Sequence, residues 1–115
     1  RMKDYYDLYY LANKFDFNGT TLTEALKKTF ENRGHKFTVE QFEQLMTFSS
    51  DDAMRKKWRV FCKKINTKTD DFDVVMRTID AFLTEPYTAA ITDSKYMGSW
   101  SANNGGWTRR GNNNG

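Results

Sequence analysis

The chain has 115 residues, 38% of them hydrophobic and 16% aromatic, with a net charge of +3 and 29% charged residues. That length holds one small domain with a modest core, and the aromatic share puts much of that core into large rings. The single cysteine, Cys62, excludes an internal disulfide and fits a reducing cytoplasm; no signal peptide or membrane span is visible, and a charge of +3 does not by itself establish nucleic-acid binding.

Residues 1 to 15 predict one amphipathic helix with charges gathered at its start. Projected at about 100° per residue, Leu8, Leu11, Ala12 and Phe15 form an apolar arc, with Lys3, Asp7, Asn13 and Lys14 mainly opposite. Arg1 and Asp4 fall on the apolar arc, which puts Asp4 on the core side and Asp7 at the rim. A buried carboxylate needs a partner or a polar site, and Arg1 can supply one from three residues away. Two carboxylates one turn apart, flanked by Arg1 and Lys3, suit a divalent metal or the polar part of a nucleotide site. The same spacing also suits a solvated helix N-terminus, where the dipole favours aspartate.

The segment Asp16-Phe17-Asn18-Gly19 reads as a turn. Thr21 to Glu24 matches a capping box opening a helix over 22–33, with Leu22, Ala25, Leu26, Thr29 and Phe30 inward and Gly34 ending it. His35 to Phe37 is expected to be short and extended. Thr38 to Gln41 is a second capping box, for a helix to about Thr47 with Val39, Phe42, Leu45 and Met46 on its apolar face. Phe48 to Ser50 breaks that helix, and Ser50 is placed as the cap of the next, with Asp51 and Asp52 in its first turn. Met54, Trp58, Phe61, Cys62 and Ile65 form the inner stripe of this third helix. Arg55, Lys56, Lys57, Arg59, Lys63 and Lys64 cover most of the remainder, either as phosphate contacts or as a solvated face suited to the C-terminal dipole.

Asp70 is placed as the cap of a last long helix in which Phe72, Val75, Met76, Ile79, Phe82 and Leu83 recur at helical spacing. Pro86 should kink or end it, with Tyr87 to Ile91 as a further helical turn. Beyond Thr92 serine, asparagine and glycine dominate, which predicts a flexible tail over 93–115. Trp100 and Trp107 stand out within it, either as exposed rings or as anchors for another body or a base. His35 is the only histidine, which argues against a histidine metal cluster or a Ser-His-Asp arrangement. Cys62 belongs to an apolar stripe and reads as buried rather than nucleophilic.

The string Arg1-Met2-Lys3-Asp4-Tyr5-Tyr6-Asp7-Leu8-Tyr9-Tyr10-Leu11 resembles the R-x-K-D-x-Y-D-L-Y-x-L signature of the AbiEii/AbiGii-type nucleotidyltransferase toxins, relatives of the polymerase-β-like nucleotidyltransferases. Thr29 to Gly34 resembles that family's T-F-x-x-R-G turn, and Trp58 with Phe61 and then Phe82 to Pro86 occupy the places of its later aromatic and proline segments, so the resemblance covers about residues 1 to 91. It implies that this chain carries the last active-site motif and the C-terminal helical region. Asp4 would then be catalytic or active-site-structuring, Asp7 would assist it or fix Arg1 or Lys3, and Arg1 and Lys3 would contact nucleotide phosphates. The family's metal carboxylates come from a G-S…D-x-D element that nothing here matches, so that element and the Mg2+ it holds are expected on a missing N-terminal nucleotidyltransferase domain.

The expected fold is all-α: an irregular bundle of about four to five helices over 1–92, with the tail over 93–115. The expected function is the C-terminal part of a bacterial, cytoplasmic toxin of an abortive-infection or toxin–antitoxin system. It would serve metal-dependent nucleotidyl transfer from NTP, with tRNA as an acceptor and a cognate antitoxin as partner, and this part alone is expected to be inactive. The chain begins at arginine inside the motif, which reads as a piece of a longer protein. The alternative is a stand-alone helical module that binds RNA or protein through Lys56, Lys57, Lys63 and Lys64. A metal-dependent hydrolase built on Asp4 and Asp7 lacks further ligands.

Overall fold

The computed structural model describes residues 2–34, 37–47 and 51–109. Five helices carry the fold: α1 (Met2–Lys14), α2 (Gly19–Arg33), α3 (Val39–Met46), α4 (Asp52–Lys64) and α5 (Phe72–Ile91). A small antiparallel sheet joins them, made of β1 (Phe17–Asn18), β2 (Gly98–Ser101) and β3 (Gly106–Arg109), in the order β1-β2-β3. The all-α expectation holds for the body of the chain. None of the helices is long and apolar enough to cross a membrane, among the described residues.

The hub is α5, which touches the other four helices and β3. Its predicted stripe is buried throughout: Phe72, Val75, Met76, Ile79, Phe82 and Leu83 all lie in the core. A helix apolar on this many sides has to be surrounded, which is why the others pack around it. The core continues through aromatic contacts. Phe42 and Phe30 meet Tyr87, while Trp58 and Tyr5 meet Phe72.

Pro86 neither ends nor interrupts α5. Proline has no N–H to return to the carbonyl four residues earlier, which here belongs to Phe82. That carbonyl accepts a hydrogen bond from the indole Nε1 of Trp107 at 3.1 Å. The second tryptophan acts in the same way at the end of α1. Trp100, 1% exposed, donates from Nε1 to the carbonyl of Ala12 at 2.7 Å, one of the last-turn carbonyls that a helix cannot satisfy internally.

The described part of the expected flexible tail is therefore ordered. Residues 98–109 form a hairpin whose loop holds Gly105 at φ 63. β1 adds a third strand through Phe17 opposite Trp100 and Asn18 opposite Ser99. The rings of Phe17, Trp100 and Trp107 all pack on Phe82. Gly19 is needed where the hairpin crosses the start of α2, because a Cβ there would lie 2.6 Å from the carbonyl oxygen of Tyr96.

Most local signals hold, with shifts at the caps. Thr38 and Gln41 make the expected reciprocal capping box, and Gly34 ends α2 at φ 60. The cap of α2 is Asn18, whose side chain accepts from the Thr21 amide, so the helix starts three residues before the expected Leu22. Within α2, Leu22, Leu26 and Phe30 pack inward as expected, whereas Ala25 and Thr29 are exposed and Thr23 is buried. The cap of α4 is Asp51; Ser50, placed there from sequence, and His35 lie outside the described residues. Asp71, not Asp70, holds the cap position of α5. Asp70 is used elsewhere: its carbonyl accepts from Trp58 Nε1 at 3.1 Å and its carboxylate from the Tyr9 hydroxyl.

Candidate functional site

The charged start of α1 presents its motif outward. The inner side of the helix is Met2, Tyr5, Leu8, Tyr9 and Ala12, all packed on the core or part of it. This stripe is turned by less than a quarter of a revolution from the predicted one. Tyrosine explains the difference: it buries its ring while its hydroxyl stays at a polar edge, so Tyr9 turns inward and bonds Asp70. The rotation leaves Asp4 exposed rather than on the core side. Leu11 and Phe15, on the same strip as Asp4, are 38% and 51% exposed.

Lys3 and Asp7 form one unit. Lys3 Nζ lies 2.7 Å from Asp7 Oδ2, one turn away. The hydrogen bond and the negative charge of Asp7 raise the Lys3 pKa, with a smaller contribution from the charge of Asp4. The pair lies on the exposed face of the helix. Arg1 lies outside the described residues.

Beside the motif, α1 and α4 enclose an open groove of about 870 Å³. Met2, Tyr5, Met54, Val60 and Phe61 line its floor, and Val60 is 61% exposed. Lys3 stands on one edge and Lys56, Lys57 and Lys64 on the other. Lys63, grouped with them from sequence, is not part of the lining. Among the described residues no acid pairs with Lys56, Lys57 or Lys64; Asp52, the acid at the start of α4, approaches Arg55 at 3.9 Å.

Asp4 and Asp7 do not make a resident metal site by themselves. Asp7 is committed to Lys3, and no group of three histidine, cysteine or acidic side chains converges among the described residues. A Mg2+ ion needs oxygen donors in near-octahedral arrangement, and an exposed helix face with two carboxylates supplies too few. The motif thus sets a lysine paired with Asp7 and an exposed Asp4 on one stretch of helix surface.

A family model described as nucleotidyl transferase AbiEii toxin, type IV TA system, matches residues 1–85. The chain belongs to that family. No curated protein and no solved structure matches it. The AbiEii match runs from the Lys3–Asp7 unit to Glu85 and stops before Pro86 and the hairpin. Trp100 and Trp107, which bond the carbonyls of Ala12 in α1 and Phe82 in α5, therefore lie beyond the matched region.

Sequence reasoning overlooked three supports of this AbiEii motif. Trp100 fixes the C-terminal end of α1 through Ala12; its signal was Asn104-Gly105 between two short tryptophan-bearing runs, a hairpin signature. Tyr9 anchors the middle of α1 to Asp70, and its pKa is raised to about 12, first by burial and then by the hydrogen bond and charge of Asp70. No sequence pattern marks that pair, which spans 61 residues. Tyr5 and Phe61 line the groove, and only the packing of α1 on α4 brings them together. Cys62, expected to be buried, is half-buried, with its thiol pKa pushed up by burial.

Proposed function

We propose that this chain is the helical part of a nucleotidyltransferase toxin and supplies the last motif of an active site shared with a second body. The supporting observation is the direction of the motif. Lys3, Asp4 and Asp7 face away from the bundle, and exposed Leu11 and Phe15 continue the Asp4 strip as an apolar surface. A charged, exposed helix start of this kind can be met by a second body, and the apolar strip beside it gives that body a surface to cover. That second body is the nucleotidyltransferase domain carrying the G-S…D-x-D element, for which this sequence has no match.

In nucleotidyl transfer an acceptor hydroxyl attacks the α-phosphorus of a nucleoside triphosphate and pyrophosphate leaves. The family's chemistry is generally metal-dependent, and a divalent ion would be held by carboxylates of the other domain. Lys3, held in position by Asp7, binds the triphosphate and offsets its growing negative charge. Arg1, matched to the same family motif, is assigned to the same phosphates by that resemblance. Asp4 projects into the shared centre and orders the reacting groups there, while Asp7 is a positioning residue. The acceptor is tRNA, the partner in the cell a cognate antitoxin, and the setting the bacterial cytoplasm.

The test uses the full-length protein and transfer of radiolabel from α-labelled NTP to tRNA. Asp4→Asn should lower kcat by about 100-fold or more, since it touches the reacting centre. Lys3→Met should raise KM for NTP and lower kcat together. Asp7→Asn should mainly raise KM, by about tenfold, with partial recovery in Asp7→Glu. Full activity in Asp4→Asn, or transfer by these 115 residues alone, would overturn the proposal.

A further inference from the structure

The groove between α1 and α4 shares Lys3 with the motif, but its floor and its α4 edge play no part in nucleotidyl transfer as proposed above, and their chemistry is different. We infer that it is a docking site for an acidic amphipathic segment of a partner polypeptide, which places apolar side chains on Met2, Met54 and Val60 and carboxylates against Lys56, Lys57 and Lys64. Three observations carry this. The floor is apolar and open: Val60 is 61% exposed on a helix otherwise rich in charge, and two methionines give a surface that adapts to incoming side chains. The edge is of one sign, and no acid among the described residues pairs with its three α4 lysines. The groove follows α4, so its apolar and basic positions repeat at helical spacing, which suits a helix laid alongside.

Other occupants fit less well. A single-stranded nucleic acid would meet the lysines with its phosphates, but its bases would need ring faces to stack on. The two rings in the floor are already engaged: Tyr5 meets Phe72 edge-on, and Phe61 packs against Tyr6 and Trp58. A second copy of this chain would bring a like-charged edge against this one, which costs affinity.

The test pans a displayed library of helical peptides, randomised over about five turns of helix, against the full-length protein. Counter-selection uses the Val60→Glu/Lys57→Glu variant. Both substitutions are at exposed positions, and an unchanged thermal melt confirms that the variant is folded. The expected result is enrichment of peptides with apolar residues at i, i+3 or i+4, and i+7, flanked by Asp or Glu. Their affinity should fall by about tenfold or more on the variant and on Lys56→Glu/Lys64→Glu. Replacing the flanking acids by lysine should abolish binding to the parent and restore it on Lys56→Glu/Lys64→Glu. Absence of enrichment, which includes a groove already covered by another part of the enzyme, overturns the inference. So does enrichment without acidic bias, or a single-stranded RNA that binds the parent protein and weakens on the Val60→Glu/Lys57→Glu variant.

Discussion

The bond from Trp107 to the Phe82 carbonyl makes a quantitative prediction, because Pro86 has removed that carbonyl's usual partner. Trp107→Phe keeps a ring stacked on Phe82 but loses the donor. The carbonyl sits in the core region of α5, and leaving such a group without a partner costs about 1–3 kcal/mol. The smaller ring adds about 1 kcal/mol of lost packing, so the total expected is about 2–4 kcal/mol. In a Pro86→Ala background the restored backbone amide can return to the Phe82 carbonyl, and only the packing loss should remain. The double-mutant cycle should therefore show a coupling of about 1–3 kcal/mol. Urea unfolding followed by circular dichroism measures all four proteins; for a domain of this size a change of about 1 kcal/mol corresponds to about 4 °C in Tm. If Trp107→Phe costs the same in both backgrounds, within about 0.5 kcal/mol, the indole does not replace the donor that proline lacks.

Three further outcomes follow from the same geometry. Gly19→Ala should destabilise by about 1–3 kcal/mol despite alanine's better helix propensity, because the new Cβ would meet the Tyr96 and Gly98 carbonyls at 2.6 and 2.9 Å; a neutral urea midpoint would show that the hairpin can shift. Trp100→Phe should lower stability by about 2–4 kcal/mol, since the ring is 1% exposed and its N–H serves the Ala12 carbonyl, and hydrogen exchange at the end of α1 should quicken. Tyr9 should ionise late, near pH 12. Its folded pKa is raised above the unfolded value of about 10, so the unfolded chain loses this proton first. The stabilisation is complete below about pH 10 and is lost as pH rises toward about 12. Ultraviolet titration should show that late phase, and Asp70→Asn should move it down; a titration unchanged by Asp70→Asn would remove the carboxylate from the account.

Much of the helical body was legible in the sequence, because helix periodicity and caps are local properties. The stripe from Phe72 to Leu83, the Thr38 capping box and the Gly34 terminus each need only a few neighbouring residues to be recognised, and the eleven-residue motif announced the family that the match over 1–85 confirms. Tertiary structure decided which way that motif faces. Hydrophobicity alone ranked Leu11 and Phe15 above the tyrosines, but tyrosine can bury a ring and still satisfy its hydroxyl across 61 residues at Asp70, and with the tyrosine side of α1 turned inward Asp4 is exposed. Tertiary structure also decided the fate of Pro86 and of the glycine- and asparagine-rich stretch up to Arg109. Each lacked something when read alone, a donor for the Phe82 carbonyl in one case and a core to join in the other. Trp107 and Trp100 supply both through contacts that local sequence does not record.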